Sequence, residues 1–100
     1  MISLKKFQKQ IYANKINKGF NTTDIYLEFC LLQEEVSEAC RAHYKKEYTV
    51  GEELADVAIY LLGLAEILNI NLEKEIKEKV KKNKKRIYNR INGVMTKVQG

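Results

Sequence analysis

The chain contains no proline among its 100 residues, and its apolar residues return every three or four places instead of alternating. That spacing cannot bury one face of a strand, but it lays an apolar stripe along a helix. With no internal breaker, the stops come from three short segments, Lys18-Gly19-Phe20-Asn21-Thr22-Thr23, Lys46-Glu47-Tyr48-Thr49 and Leu68-Asn69-Ile70-Asn71. Each holds a residue that ends or caps a helix. Four helices are predicted, at about 3–18, 24–46, 50–69 and 72–92. Thr49 followed by Glu52 predicts a capping box at the third helix, and Asn71 is placed to cap the fourth. Connections this short set consecutive helices antiparallel. The expected fold is therefore all-α, a four-helix bundle forming a single domain over residues 1–100. A chain of this size buries relatively little surface alone, so its core is expected to be completed by oligomerisation.

Composition narrows the function classes. Hydrophobic residues make up 45% of the chain and charged residues 31%, and no apolar run approaches the roughly 20 residues of a membrane span. The first residues run straight into an amphipathic pattern with no secretory signature, so a soluble, cytoplasmic protein without a membrane partner is expected. Cys30 and Cys40 fall in one predicted helix, separated by roughly 15 Å of rise, too far for a bridge. With one histidine, His43, and no CxxC pair, the usual zinc sets cannot be assembled, and any metal should be a hard, oxygen-bound cation. The net charge of +5 gathers toward the C-terminus, where Lys77, Lys79, Lys81, Lys82, Lys84, Lys85, Arg86 and Arg90 crowd together. Such a cluster suits a solvated helix face, a polyphosphate or a nucleic-acid backbone.

The second helix carries Glu34-Glu35-Val36-Ser37-Glu38, and the third carries Glu52-Glu53-Leu54-Ala55-Asp56. Residues at i and i+3 share a helix face, so Glu35 with Glu38, and Glu53 with Asp56, can each point at one place. The predicted apolar stripe of the second helix is Ile25, Phe29, Leu32, Val36 and Ala39, and that of the third is Leu54, Val57, Ala58, Leu61, Ala65 and Leu68. From these stripes, Glu35 and Glu53 lie roughly 80–100° round the helix and Glu38 and Asp56 roughly 140–160°. Glu34 and Glu52 fall opposite the core. The four remaining acids occupy equivalent shoulders of two adjacent helices. Four ionised carboxylates facing one another raise each other's pKa and repel. A divalent cation relieves the conflict, and Mg²⁺, with Mn²⁺ as a substitute, suits an all-oxygen site that shares waters with phosphates. Spacing alone is equally compatible with ordinary surface glutamates. A di-iron bundle would require Glu-x-x-His pairs, which are missing here.

The pattern Glu34-Glu35-x-x-Glu38 followed by Glu53-x-x-Asp56 resembles that of the MazG-like all-α nucleoside triphosphate pyrophosphohydrolases. The resemblance extends to Lys18-Gly19-Phe20, to Glu35-Val36-Ser37-Glu38-Ala39, to the run from Glu53 to Tyr60, and to Lys79-x-x-x-Asn83-x-x-Arg86. It implies a MazG-like bundle in which Glu35, Glu38, Glu53 and Asp56 are the metal ligands, the same acids the helical geometry selects. It also implies hydrolysis of a nucleoside or deoxynucleoside triphosphate to the monophosphate and pyrophosphate, a housecleaning role in the nucleotide pool, and a homodimer or homotetramer with substrate near subunit contacts. The relatives include dUTPases, dCTP pyrophosphatases and phosphoribosyl-ATP pyrophosphatases, and the Asn83-centred ending looks less like the last of these.

For the reaction, Glu38 is the expected general base. Lys79, Asn83 and Arg86, with Lys82, share one face of the fourth helix and are suited to hold phosphates or to read base or ribose. Tyr60 lies one turn beyond Asp56, where its ring can stack on a base. The first helix, with Leu4, Phe7, Ile11 and Ala13 or Ile16, carries no catalytic group and is expected to serve as core cover or as a subunit contact. The rival from another class is a non-catalytic basic helical module that binds nucleic acid or a partner protein.

Overall fold

The computed structural model describes residues 2–91 and 93–99. Four helices run in order, α1 (Leu4–Asn17), α2 (Ile25–Tyr44), α3 (Val50–Ile67) and α4 (Leu72–Lys84), followed by two strands, β1 (Ile87–Ile91) and β2 (Val94–Gln99). Side chains close three of the helix starts. Ser3 accepts from Lys6 N–H, Asp24 from Leu27 N–H and Asn71 from Lys74 N–H, each satisfying a donor the helix leaves free. The capping box predicted at Thr49 does not form. Thr49 makes no side-chain cap bond, because its hydroxyl turns to Glu47 Oε2 at 3.4 Å.

The first three helices end alike. After α1, Gly19 takes φ 71° and Phe20 N–H reaches back to Lys15 C=O at 2.9 Å; after α2, Lys46 at φ 58° lets Glu47 bond Ala42; after α3, Asn69 at φ 58° lets Ile70 bond Ala65. Each is a six-to-one closure with a left-handed residue just past the helix. The turns fall where the three interruptions put them, but of the consecutive helices only α2 and α3 pack closely; α1 passes over α2 to pack on α3, and α4 packs on α1.

The fourth helix stops at Lys84, not near residue 92. The rest of the predicted helix is an antiparallel hairpin pairing Tyr88 with Lys97, Asn89 with Thr96, Arg90 with Met95 and Ile91 with Val94, with an irregularity between Ile87 and Tyr88. The physical reason lies in the sequence. Ile87-Tyr88-Asn89-Arg90-Ile91 and Val94-Met95-Thr96-Lys97-Val98 are short runs rich in β-branched residues, and Asn-Gly between them is a strong hairpin signal. Gly93 takes φ 80°, a value that costs glycine nothing.

Packing is concentrated in α2 against α3 and α1 against α3; α4 touches α1 and makes no comparable contact with α2 or α3. The buried apolar residues are few: Ala39, Ala42, Leu62, Leu64 and Ala65. The predicted stripes split accordingly. Ala39 and Ala65 are buried, but Phe29, Val36, Leu54, Ala58, Leu61 and Leu68 are exposed, because only one flank of the α2–α3 pair is covered, by α1. The exposed surface is 8023 Å², whereas a self-sufficient monomer of 11.7 kDa exposes roughly 5,900 Å². The radius of gyration is 16.7 Å against roughly 13 Å for a compact 100-residue domain. No helix among the described residues is long and apolar enough to cross a membrane.

What holds α1 in place is largely polar. Gln8, 1% exposed, donates through Nε2 to Ile70 C=O at 2.8 Å and Glu66 Oε1 at 3.2 Å, and accepts Leu72 N–H at 2.9 Å. Leu72 opens α4, so Gln8 satisfies one of that helix's free donors. Glu73 returns the favour by accepting Leu4 N–H, at the start of α1, at 3.0 Å. Gln8→Ala strips partners from Ile70 and Leu72 at once. It is expected to lower the unfolding free energy by about 2–4 kcal/mol, read as a lower urea midpoint at unchanged slope.

Candidate metal centre

The start of α3 lies against the middle of α2, because the two helices are antiparallel neighbours joined by a five-residue turn (residues 45–49). This places one acid pair opposite the other. A carboxylate oxygen from each of Glu35, Glu38 and Glu53 comes within 4.8 Å of the others. Glu35 and Glu53 are half-buried, Glu38 and Asp56 exposed. Glu34 and Glu52 are exposed as well, on the outward sides the helical geometry assigns to them. Asp56 is not in the closest group of three, yet its charge acts on both Glu35 and Glu53. Glu38 is also paired with Arg41, Nη2 to Oε1 at 3.2 Å, in a solvent-exposed i,i+3 bridge.

The electrostatics are those of crowded acids. Partial burial holds the Glu35 carboxyl above its ordinary pKa, and the charges of Asp56, Glu38, Glu53 and Glu34 push it the same way. Glu53 is raised by desolvation first, then by Glu38, Asp56, Glu52 and Glu47. Loss of hydration and like-charge repulsion both oppose ionisation. Carboxylate oxygens alone, at this spacing and short of positive charge, fit a hard divalent cation such as Mg²⁺ or Mn²⁺. The fit therefore rests on the donor set and its unbalanced charge.

Beside the acids stands Tyr60, half-buried. Burial raises its phenol pKa above 10.0, reinforced by the charges of Glu35, Glu28, Asp56 and Glu34. On its other side Tyr60 walls a cavity of about 280 Å³ with Gln10, Ile11, Asn14, Lys15, Phe20 and Ile59. It also walls a smaller one, about 160 Å³, with Lys15, Phe20, Asn21, Glu28 and Leu31. Tyr60 thus belongs both to the surroundings of the acids and to the wall of a chamber that residues of α1 also line. The first helix is accordingly more than core cover.

Lys15 and Glu28 escaped the sequence reading. Both are buried, at 8% and 1% exposure, with Lys15 Nζ 2.5 Å from Glu28 Oε1. Only one signal pointed to them: Gln8, Ile11 and Lys15 share the period of α1's inner face, so a polar residue occupies a core register. The basic residues of α4 lie elsewhere. Lys79, Lys82 and Asn83 are exposed, and Arg86 is half-buried with its Nε lacking a hydrogen-bond partner. Among the described helices α4 packs chiefly on α1, with no comparable contact to α2 or α3.

The sequence model of the MazG-like family matches residues 26–96, a span that holds all four acids, Tyr60 and the Lys79–Arg86 segment. No curated protein and no solved structure matches the chain.

The raised carboxyls have a consequence for stability. A folded pKa above the unfolded value means the folded state holds its proton more tightly. The contribution of Glu35 is therefore favourable below the ordinary glutamate pKa of about 4.3 and is lost as pH rises through its higher folded value. Metal-free Glu35→Gln is expected to melt above wild type at neutral pH, with the gap closing on acidification through the carboxylate range. Adding Mn²⁺ should raise the melting temperature of wild type and not of the variant. Parallel thermal melts with chelator and with Mn²⁺ check both outcomes.

Proposed function

This chain belongs to the MazG-like family, and on that premise we propose that it hydrolyses a nucleoside or deoxynucleoside triphosphate to the monophosphate and pyrophosphate with Mg²⁺. Family membership points to pyrophosphohydrolase chemistry. The observation that carries the finer reading is the meeting of Glu35, Glu38 and Glu53 within 4.8 Å, beside Asp56 and next to a cavity walled by Tyr60. The substrate's phosphates would lie over the acids and its base in that cavity, against Phe20 and Tyr60. At about 280 Å³ the space is at the bottom of the roughly 300–1,000 Å³ range of small-molecule sites, sized for one ring system and not for a whole nucleotide.

Glu35, Glu38, Glu53 and Asp56 would hold a divalent cation, which would supply positive charge against the charge developing on the phosphorus oxygens. Glu38, the most open of the three converging acids, accepts the proton of the attacking water as the α–β anhydride bond breaks and pyrophosphate departs. Tyr60 orients the base. The leaving pyrophosphate calls for cations; Arg41, beside the acids, is already paired with Glu38, and Lys79 and Arg86 have the right chemistry, with Asn83 as a neutral hydrogen-bonding partner.

Those residues are proposed to arrive from a second copy of the chain. Ile76 and Val80 follow one face of α4 and are exposed at 42% and 48%, so α4 presents an apolar stripe beside its basic residues, and none of its own residues is buried. Phe29 with Val36 on α2, and Leu54 with Leu61 on α3, are exposed, each pair seven residues apart and so forming an apolar flank of its helix. Apolar stripe against apolar flank, with basic edge against acidic edge, describes a homodimer or a tetramer built from such dimers.

A panel of normal and modified triphosphates with Mg²⁺, with both products identified, tests the reaction. Monophosphate and pyrophosphate should form, and Glu38→Ala or Asp56→Ala should lower turnover by at least about a hundredfold with helicity unchanged. If no triphosphate gives those products, the reading fails. Salt-sensitive duplex binding indifferent to Glu38 would favour a basic nucleic-acid-binding module instead. For the shared site, mixing inactive Glu38→Ala with inactive Arg86→Ala should restore about a quarter of wild-type activity, since half the dimers are mixed and each has one intact site. No recovery after co-refolding would place Arg86 on its own chain's site.

A further inference from the structure

We propose that Lys15 is a positioning residue for the base of the substrate, acting through Tyr60 and through Glu28; this rests on the reading of Tyr60 as a base contact. Lys15 is a buried cation in a helix with no other role in the chemistry, and the structure surrounds it on every side. Its ammonium bonds Glu28 Oε1 and sits 5.4 Å from the centroid of the Tyr60 ring, within cation–π range. Its stem lies over Gly63. A Cβ there would come within 3.4 Å of Lys15 Cδ and 3.2 Å of Ile11 Cγ2, so α3 offers a glycine at the place where this side chain crosses. The second oxygen of Glu28 accepts Asn21 Nδ2 at 3.1 Å, and Asn21 in turn bonds Asp24 N–H and C=O.

One ammonium therefore ties together the wall of the chamber from α1, the turn that carries Phe20, the start of α2 and the ring of Tyr60. Lys15, Phe20 and Tyr60 line both cavities. A Tyr60 ring attracted to a fixed cation is held at one inclination, and that inclination sets the plane against which a base can stack. The phosphates lie on the far side of Tyr60, over the acids, so the device acts on how the base is held and leaves the anhydride chemistry alone.

Lys15→Met alone would leave Glu28 as a buried, uncompensated carboxylate, a strongly destabilising change. Lys15→Met combined with Glu28→Gln removes both charges, keeps the amide bond to Asn21 available and is the informative variant; Lys15→Arg preserves a cation over the ring. With a nucleoside triphosphate and Mg²⁺, the double variant is expected to raise KM about fivefold, the loss of one buried cation–π contact, at unchanged kcat. Hydrolysis of inorganic tripolyphosphate, which has no base, should not change, and Lys15→Arg should return KM toward wild type. An unchanged nucleotide KM, or an equal rise for tripolyphosphate, overturns the proposal. A second readout needs no catalysis. In metal-free protein with ¹³C-labelled tyrosine, the Tyr60 ring signals should show contacts to the Lys15 ε-methylene and respond to added nucleoside, and in the double variant they should shift and respond more weakly. Failure of all triphosphate hydrolysis would sink the functional reading while this measurement still decides the role of Lys15: ring signals and nucleoside response identical in both proteins would overturn it.

Discussion

The placement of α1 depends on buried polar groups, and most of what surrounds the acids depends on α1. Among the described residues, Gln8, Lys15 and Glu28 are the buried polar ones, and Gln8 and Glu28 are the largest side chains that are fully enclosed. A helix held by an amide and a salt bridge gains little net energy from either, since desolvation offsets much of the attraction. What such contacts give is registry. Apolar side chains would accept a shift of α1 along α3, whereas Gln8 fits only where Glu66, Ile70 and Leu72 meet, and Lys15 only opposite Glu28. The chamber behind Tyr60 has a defined shape because α1 cannot slide.

A second constraint is that the chain cannot cover itself. Exposed Phe29 and Val36 on α2, and exposed Leu54 and Leu61 on α3, stand seven residues apart and so on one side of each helix. The excess of exposed area over a self-contained monomer is on the order of 2,000 Å², comparable with the total area lost in a standard protein–protein interface. Apolar flank and acidic shoulder are consecutive faces of the same helices, so whatever covers the first also borders the second. Assembly and the completion of the site would then be one event.

Much of this was legible in the sequence. The three interruptions located the turns at Gly19, Lys46 and Asn69, because helix endings are written locally in a few residues. The convergence of acids was legible in part: i,i+3 spacing points Glu35 with Glu38, and Glu53 with Asp56, to one place, and Glu35, Glu38 and Glu53 do meet within 4.8 Å, while Asp56 stands outside that closest group. The stripes are apolar as read, but their phase does not match the buried face: Phe29 and Val36 on α2 and Leu54, Ala58, Leu61 and Leu68 on α3 are exposed, because which side lies inside depends on neighbours that spacing along one helix does not specify. Lys15 carried one local signal, its register with Gln8 and Ile11, but its pairing with Glu28 was illegible, because the pair joins two helices across a turn and spacing along one helix does not reveal a partner on another. The hairpin was missed for another reason. The lysine-rich period of α4 was carried past Lys84, although Asn92-Gly93 between β-branched runs gave a local signal that outweighs it.

The polar clamp also bears on the order in which the molecule comes together. The α2–α3 pair is a local hairpin whose facing acids are only about twenty residues apart in the chain, so its loop-closure cost is small. Gln8, by contrast, finds its partners 58 to 64 residues away, and closing that loop encloses the entire acid-bearing hairpin. Contacts of long sequence separation are won late, after local structure has formed. The docking of α1 is thus a closing step, in which a carboxylate platform that already exists acquires its aromatic wall.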